Sequence, residues 1–202
     1  MQLNDPITSS TFRRDVSVLA GMKVSRIWLG YANVLFLECG RLWKEPMPAH
    51  LLKMKVPPGH HRRRFTLKGQ VTFMLQCVWR VESGREVEFG WSDKDLSERL
   101  GLLAGQRIRS VKASGEVSEL EITLGNKLVI RTFQSFVGPP EWSIGFRDMA
   151  LANCEPEWKL KQNDVSMWLK FDGGSFVRGY CFDQTIFEPK AFLARYDYRY
   201  DM

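Results

Sequence analysis

The residues best equipped for chemistry lie in one stretch, Pro57-Pro58-Gly59-His60-His61-Arg62-Arg63-Arg64, with Lys53 and Lys55 just before it. A guanidinium group matches phosphate or carboxylate oxygens through two parallel hydrogen bonds, and an ammonium group adds a point charge. The chemistry on offer is capture of a phosphate-bearing or otherwise acidic partner. Residues 41–68 hold eight basic side chains against the single acid Glu45, a surplus of seven in a chain whose net charge is +6. The basicity therefore belongs to one segment and not to the fold. Prolines at 46, 48, 57 and 58 mark much of it as a loop inserted between two strands, and a merely solvated loop would carry the same charges.

Other chemistries find less support. His50, His60 and His61 are the only histidines, and none has a ligand-type partner at helical spacing, so no metal site is expected. Cys39, Cys77, Cys154 and Cys181 contain no close pair, which argues for structural thiols and against a redox or zinc motif. There is no G-x-S-x-G elbow and no glycine-rich phosphate cradle. The pairs Asp93/Asp95 and Glu155/Glu157 could do acid–base work, but Asp93 reads more simply as a helix cap and the glutamates as part of a solvated loop. No catalytic residue and no cofactor is predicted, and the reading leans away from an enzyme.

Strands must position these groups. Val71, Phe73, Leu75, Cys77, Trp79 and Val81 are apolar at every second position, the period of an extended chain with one face in a core. Glu82-Ser83-Gly84-Arg85 supplies a turn, and Val87, Phe89 and Trp91 resume the alternation. Further alternating pairs run over 34–43, over 120–133 around a turn at Gly125-Asn126, and over 164–183 around Gly173-Gly174. Residues 1–10 read as a loosely held terminus. Ser9-Ser10-Thr11 can cap a helix to about Leu19, and Ser92 or Asp93 a short one over 92–100.

The pattern L-A-G-x-[K/R]-[V/I]-x-x-[I/V] occurs at Leu19–Ile27 and again at Leu103–Val111, and Phe89-Gly90-Trp91-Ser92-Asp93 is echoed by Ile144-Gly145-Phe146-Arg147-Asp148. These echoes predict a mainly β protein: two related antiparallel β units packed as a sandwich or partly open barrel, with one or two short helices. The first unit spans 11–100, with the basic insertion 41–68 and the linking helix 92–100. The second spans 101–202, with the hairpin 164–183. Gln76-Cys77-Val78-Trp79-Arg80 followed by Phe89-Gly90-Trp91-Ser92-Asp93 resembles a group of uncharacterised bacterial proteins, as do the L-A-G strand starts. That resemblance implies a β-rich architecture without an established cofactor, and an association with toxin–immunity loci.

Seven tryptophans stand at 28, 43, 79, 91, 142, 158 and 168, more than a core of this size needs. Trp168 shares a strand face with Ser166 and Lys170, opposite the apolar residues, and Trp43 borders the basic segment. Both are candidates for a partner-facing aromatic. The leading expectation is a non-enzymatic binding protein, of immunity or accessory type, that occupies a protein partner. The alternatives are binding of nucleic acid or an acidic ligand through 41–68, and an enzyme with a site between the two units. No apolar run is long enough for a membrane helix and no secretory leader is visible, so a cytoplasmic protein is expected.

Overall fold

The computed structural model describes residues 2–47, 65–114, 119–133, 142–147, 166–172 and 175–181, with residues 2–7, 31, 166–172 and 175–181 described at the level of the backbone. The chain order is β1 (Gln2–Ile7), α1 (Ser9–Ser17), β2 (Val24–Leu29), β3 (Leu35–Pro46), β4 (Phe65–Leu75), β5 (Val78–Ser83) and β6 (Glu86–Gly90). There follow α2 (Leu96–Arg99), β7 (Ile108–Ser114), β8 (Glu119–Leu124), β9 (Leu128–Phe133), β10 (Trp142–Phe146), β11 (Ser166–Asp172) and β12 (Ser175–Cys181). The described strands form two antiparallel sheets, β1-β12-β11-β10-β4-β3-β2 and β6-β5-β9-β8-β7. This is the mainly β, few-helix architecture that the alternation predicts.

The core is built from the inward residues of both sheets. Ile27, Leu37, Phe73, Ile144 and Leu169 lie in one cross-strand row of the larger sheet, and Val81, Ile130 and Ile122 in one row of the smaller. Leu37, Phe73, Ile144, Val81, Ile130 and Ile122 have no exposed surface. Helix α1 adds Phe12 and Val16, and Leu19 follows it, all buried; the Phe12 ring lies 5.8 Å from that of Trp142.

The apolar alternation from Val71 to Val81 reads as one strand, but the chain turns a corner at Gln76-Cys77. β4 pairs with β3 and β10 in one sheet, and β5 with β9 and β6 in the other. The alternation survives because both strands face the same core, and a strand that changes sheets keeps its inward phase. The boundary at residue 100 therefore does not coincide with the division between sheets, since Val78–Gly90 lies in the sheet of β7, β8 and β9. Three local expectations are corrected. Residues 2–7 are not loose but form β1, paired with β12. The cap of α1 is Thr8, whose Oγ1 accepts from Thr11 N, and not one of the next three residues. The β8–β9 connection is three residues long and its positive φ falls on Lys127 rather than on Gly125 or Asn126, a turn followed by one left-handed residue.

The two L-A-G segments meet where the sheets join. Gly21 N donates to Ile108 O and Gly105 N to Val24 O, both at 2.8 Å. Val24 N donates to Gln106 O at 2.8 Å and Ile108 N to Met22 O at 2.9 Å, around a Lys23–Arg107 bridge. Gly21 (φ +84°) and Gly105 (φ +81°) supply the left-handed backbone that lets each segment turn into this contact. Trp79 ties the sheets again, its indole N–H donating to Asn33 O at 2.9 Å.

Gly69 lies in β4 tight against the β3 backbone. A Cβ there would stand 2.6 Å from both the N and the O of Cys39, and backbone cannot yield as a side chain does. We expect Gly69→Ala to lower the unfolding free energy by about 3 kcal/mol in urea denaturation followed by circular dichroism.

Candidate functional site

Half of each central strand points away from the core, and in the larger sheet this outer face is unusual. Register places Trp28, Phe36, Met74 and Ser143 in one outward row, and Arg26, Glu38, Thr72 and Gly145 in the next. Glu38 has no exposed surface although it faces outward. Its Oε2 accepts from Gly69 N at 2.8 Å and from the Thr72 hydroxyl at 2.6 Å. Its Oε1 accepts from the Trp28 indole N–H at 3.3 Å and lies 3.5 Å from Lys68 Nζ. Burial, and after it the Glu38 charge, pushes the neighbouring Cys39 thiol far up, so that it stays protonated and inert.

Aromatic rings stand beside this carboxylate. Trp28 and Phe36 stack with centroids 3.9 Å apart and planes 2° from parallel. Lys68 Nζ lies 5.5 Å from the first ring and 5.8 Å from the second, and the Arg26 guanidinium is 5.6 Å from Trp28. Farther along β3, Trp43 is half-buried between Arg41 and Arg147, each with its guanidinium carbon 5.8 Å from the ring. Gln70 holds both arginines by their backbones: Arg41 N donates to its Oε1 and Arg147 N to its carbonyl. Arg147 also pairs with Glu45.

The smaller sheet provides an internal comparison, because β7-β8-β9-β5 follows the same order and register as β2-β3-β4-β10. Both ladders carry a register shift at the matching place, between Val24 and Arg26 and between Ile108 and Ser110. At the positions of Trp28, Phe36, Met74 and Ser143 the smaller sheet has Lys112, Glu121, Arg131 and Arg80. Arg131 bonds Glu82 at 2.8 Å and Glu121 at 2.6 Å, and Arg80 completes the ladder at Glu82. That is a water-facing surface. Burial alone would raise the Glu82 carboxyl, but the hydrogen bonds from Arg131 and Arg80 outweigh it and hold it below the usual range.

A second irregularity is the length of the β3–β4 hairpin. β8 and β9 close in a tight turn at 125–127, whereas β3 and β4 stay paired for five further positions, from Leu42–Gly69 to Pro46–Phe65. This arm carries Phe65 at 54% exposure and Leu67 at 36%, with Arg41, Lys44 and Pro46 also exposed. Part of the basic segment is thus strand and not loop.

Of the predicted site residues, Trp43 stands on the arm. Lys53, Lys55, Arg62, Arg63 and Arg64 lie outside the described residues, as do all three histidines and Glu155 and Glu157. Trp168 stands in β11 opposite Gly145, in the same cross-strand row as Glu38 and Thr72 and well away from Trp43. Asp93 is not a helix cap: its Oδ2 accepts from Gly90 N and lies 3.6 Å from Arg99, and α2 begins after Asp95. Sequence reasoning passed over Glu38, Trp28, Phe36, Arg26 and Arg147. Among the described residues no three His, Cys, Asp or Glu side chains converge, and no helix is long and apolar enough to cross a membrane. An open concavity of about 520 Å³ lies beside β6, lined by Trp79, Arg80, Val87, Trp91 and Phe133 among others. No protein-family model, curated protein or solved structure matches the chain.

Removing the buried carboxylate strands the donors around it. Glu38→Ala is expected to cost about 3 kcal/mol in urea unfolding, and Glu38→Gln, which keeps an acceptor oxygen, distinctly less. The Glu82 ladder sets an acid limit. Its folded pKa is depressed, so its contribution is complete above the unfolded carboxylate value of roughly 4.3 and disappears as pH falls through the lower folded value. Thermal melts of the wild type from neutral pH to about pH 3 should show this loss, and Glu82→Gln should flatten that part of the profile.

Proposed function

We propose that the protein is a binding protein for polyanions, with nucleic acid foremost, acting through the β3–β4 arm and the basic segment that the arm carries. The observation behind this reading is the unequal length of two hairpins that otherwise share a register. The smaller sheet closes its hairpin in three residues, while the larger continues the ladder to Pro46 and Phe65. The residues between those ends include Lys53, Lys55, Arg62, Arg63 and Arg64 and no acid. Arginine and lysine clustered in sequence release counterions when they meet phosphates, which makes affinity depend steeply on salt.

A protein partner is the second reading, favoured by β6. This strand is the outer edge of its sheet, with Val87 at 57% and Trp91 at 42% exposure beside the concavity. An edge with exposed apolar side chains can accept a partner's strand.

The polyanion reading is tested by fluorescence anisotropy with labelled oligonucleotides across a salt series. Binding should weaken by about tenfold or more between low and physiological salt, and replacing Arg62, Arg63 and Arg64 together by alanine should flatten the slope by roughly two to three units. Salt-independent binding, or none at low salt, would remove the proposal.

A further inference from the structure

Resting on the polyanion reading, we infer that the outer face of β2, β3 and β4 is a platform for single-stranded nucleic acid. Bases stack on Trp43 and on the Trp28–Phe36 pair, and phosphates meet Arg26, Arg41, Lys68 and Arg147. Three observations carry this beyond charge alone. The matching positions in the smaller sheet hold the Lys112, Glu121, Arg131 and Arg80 set, so neither the fold nor the core requires aromatics at Trp28 and Phe36. The four cations stand against rings, within 5.5 to 5.8 Å of Trp28, Phe36 or Trp43, so cation and stacking surface alternate along one face. The Trp28 indole is fixed through its edge by Glu38 and on one face by Phe36, so the pair is pre-oriented before any base arrives.

Charge on this face favours an anion. Glu38 is fully buried and engaged by Lys68, and Glu45 is engaged by Arg147, which leaves Arg26 and Arg41 without a carboxylate partner among the described residues. The alternation also selects the kind of nucleic acid. A duplex hides the faces of its bases within its own stack, and only its phosphates would meet this surface. A single strand presents both phosphates and π faces, and successive bases can take the aromatic positions between the cations.

The test uses the full chain with four probes: a fluorescein-labelled oligo-dT of about twelve nucleotides, a duplex of equal length, heparin and poly-glutamate. Trp28 holds Glu38 and its loss would disturb the fold, so Trp43 is the position to change, with circular dichroism confirming that each variant is folded. The platform predicts that oligo-dT binds about tenfold tighter than the duplex. It also predicts that Trp43→Ala loses about tenfold for oligo-dT with heparin affinity unchanged, and that Trp43→Phe retains most of the binding. Equal affinity for oligo-dT, duplex and heparin, with Trp43→Ala silent, overturns the platform and leaves the polyanion reading standing. Poly-glutamate displacing oligo-dT as readily as heparin does points to an acidic protein and also overturns it. No binding to any probe at low salt removes both readings.

Discussion

A carboxylate without access to water has to be satisfied by the protein, and Glu38 imposes that demand on three strands. Left bare, a buried carboxylate costs several kcal/mol. Here its two oxygens draw an indole from β2 and a hydroxyl, an amide and an ammonium from β4. Each donor then fixes something else. The Gly69 amide reaches Glu38 at a point where β3 leaves no room for a Cβ on β4. The Trp28 ring is set edge-on and Phe36 packs flat against it, while Lys68 lies over both. The order of the outer face is therefore a consequence of how one charge is neutralised.

The alternation of apolar residues made the sheets legible because it reports which side of a strand meets the core. It could not report which sheet the strand belongs to. Val71 to Val81 keeps one phase through the corner at Gln76-Cys77, and nothing local distinguishes a bent pair of strands from a straight one. β1 was illegible for a related reason. Gln2 to Ile7 contains Asn4, Asp5 and Pro6 and has no apolar rhythm; it is a strand because β12 offers it an edge. Capping went astray by small margins: Thr8, one residue before the expected group, has the extended backbone that a cap requires.

The aromatic part of the candidate site was half legible. Trp43 drew notice because it borders the basic run, and its position between Arg41 and Arg147 gives that proximity a geometry. Glu38 did not, since in alternation a polar residue between Leu37 and Cys39 is what a water-facing position looks like. A signal was present in the neighbouring positions. Phe36 and Trp28 stand in the same outward phase as Glu38, and large apolar residues in the polar phase of a strand mark that second face as more than a plain water-facing surface. Arg147 was beyond reach, because only the pairing of β10 with β4 brings it to Gln70 and Trp43.

The pairing of β1 with β12 also bears on how the chain is made. Gln2 lies opposite Cys181 and Ile7 opposite Phe176, so β1 is synthesised well before the strand it pairs with. At a typical synthesis rate the interval is on the order of ten to thirty seconds, far longer than hairpins such as β5–β6 or β8–β9 take to form. Local ladders of this kind can close while β12 still lies far along the chain, whereas the β1–β12 ladder, at the edge of the seven-stranded sheet, must wait for it. Until that last ladder forms, the nascent protein carries an open strand edge at β12, and chaperone protection would matter most in that interval.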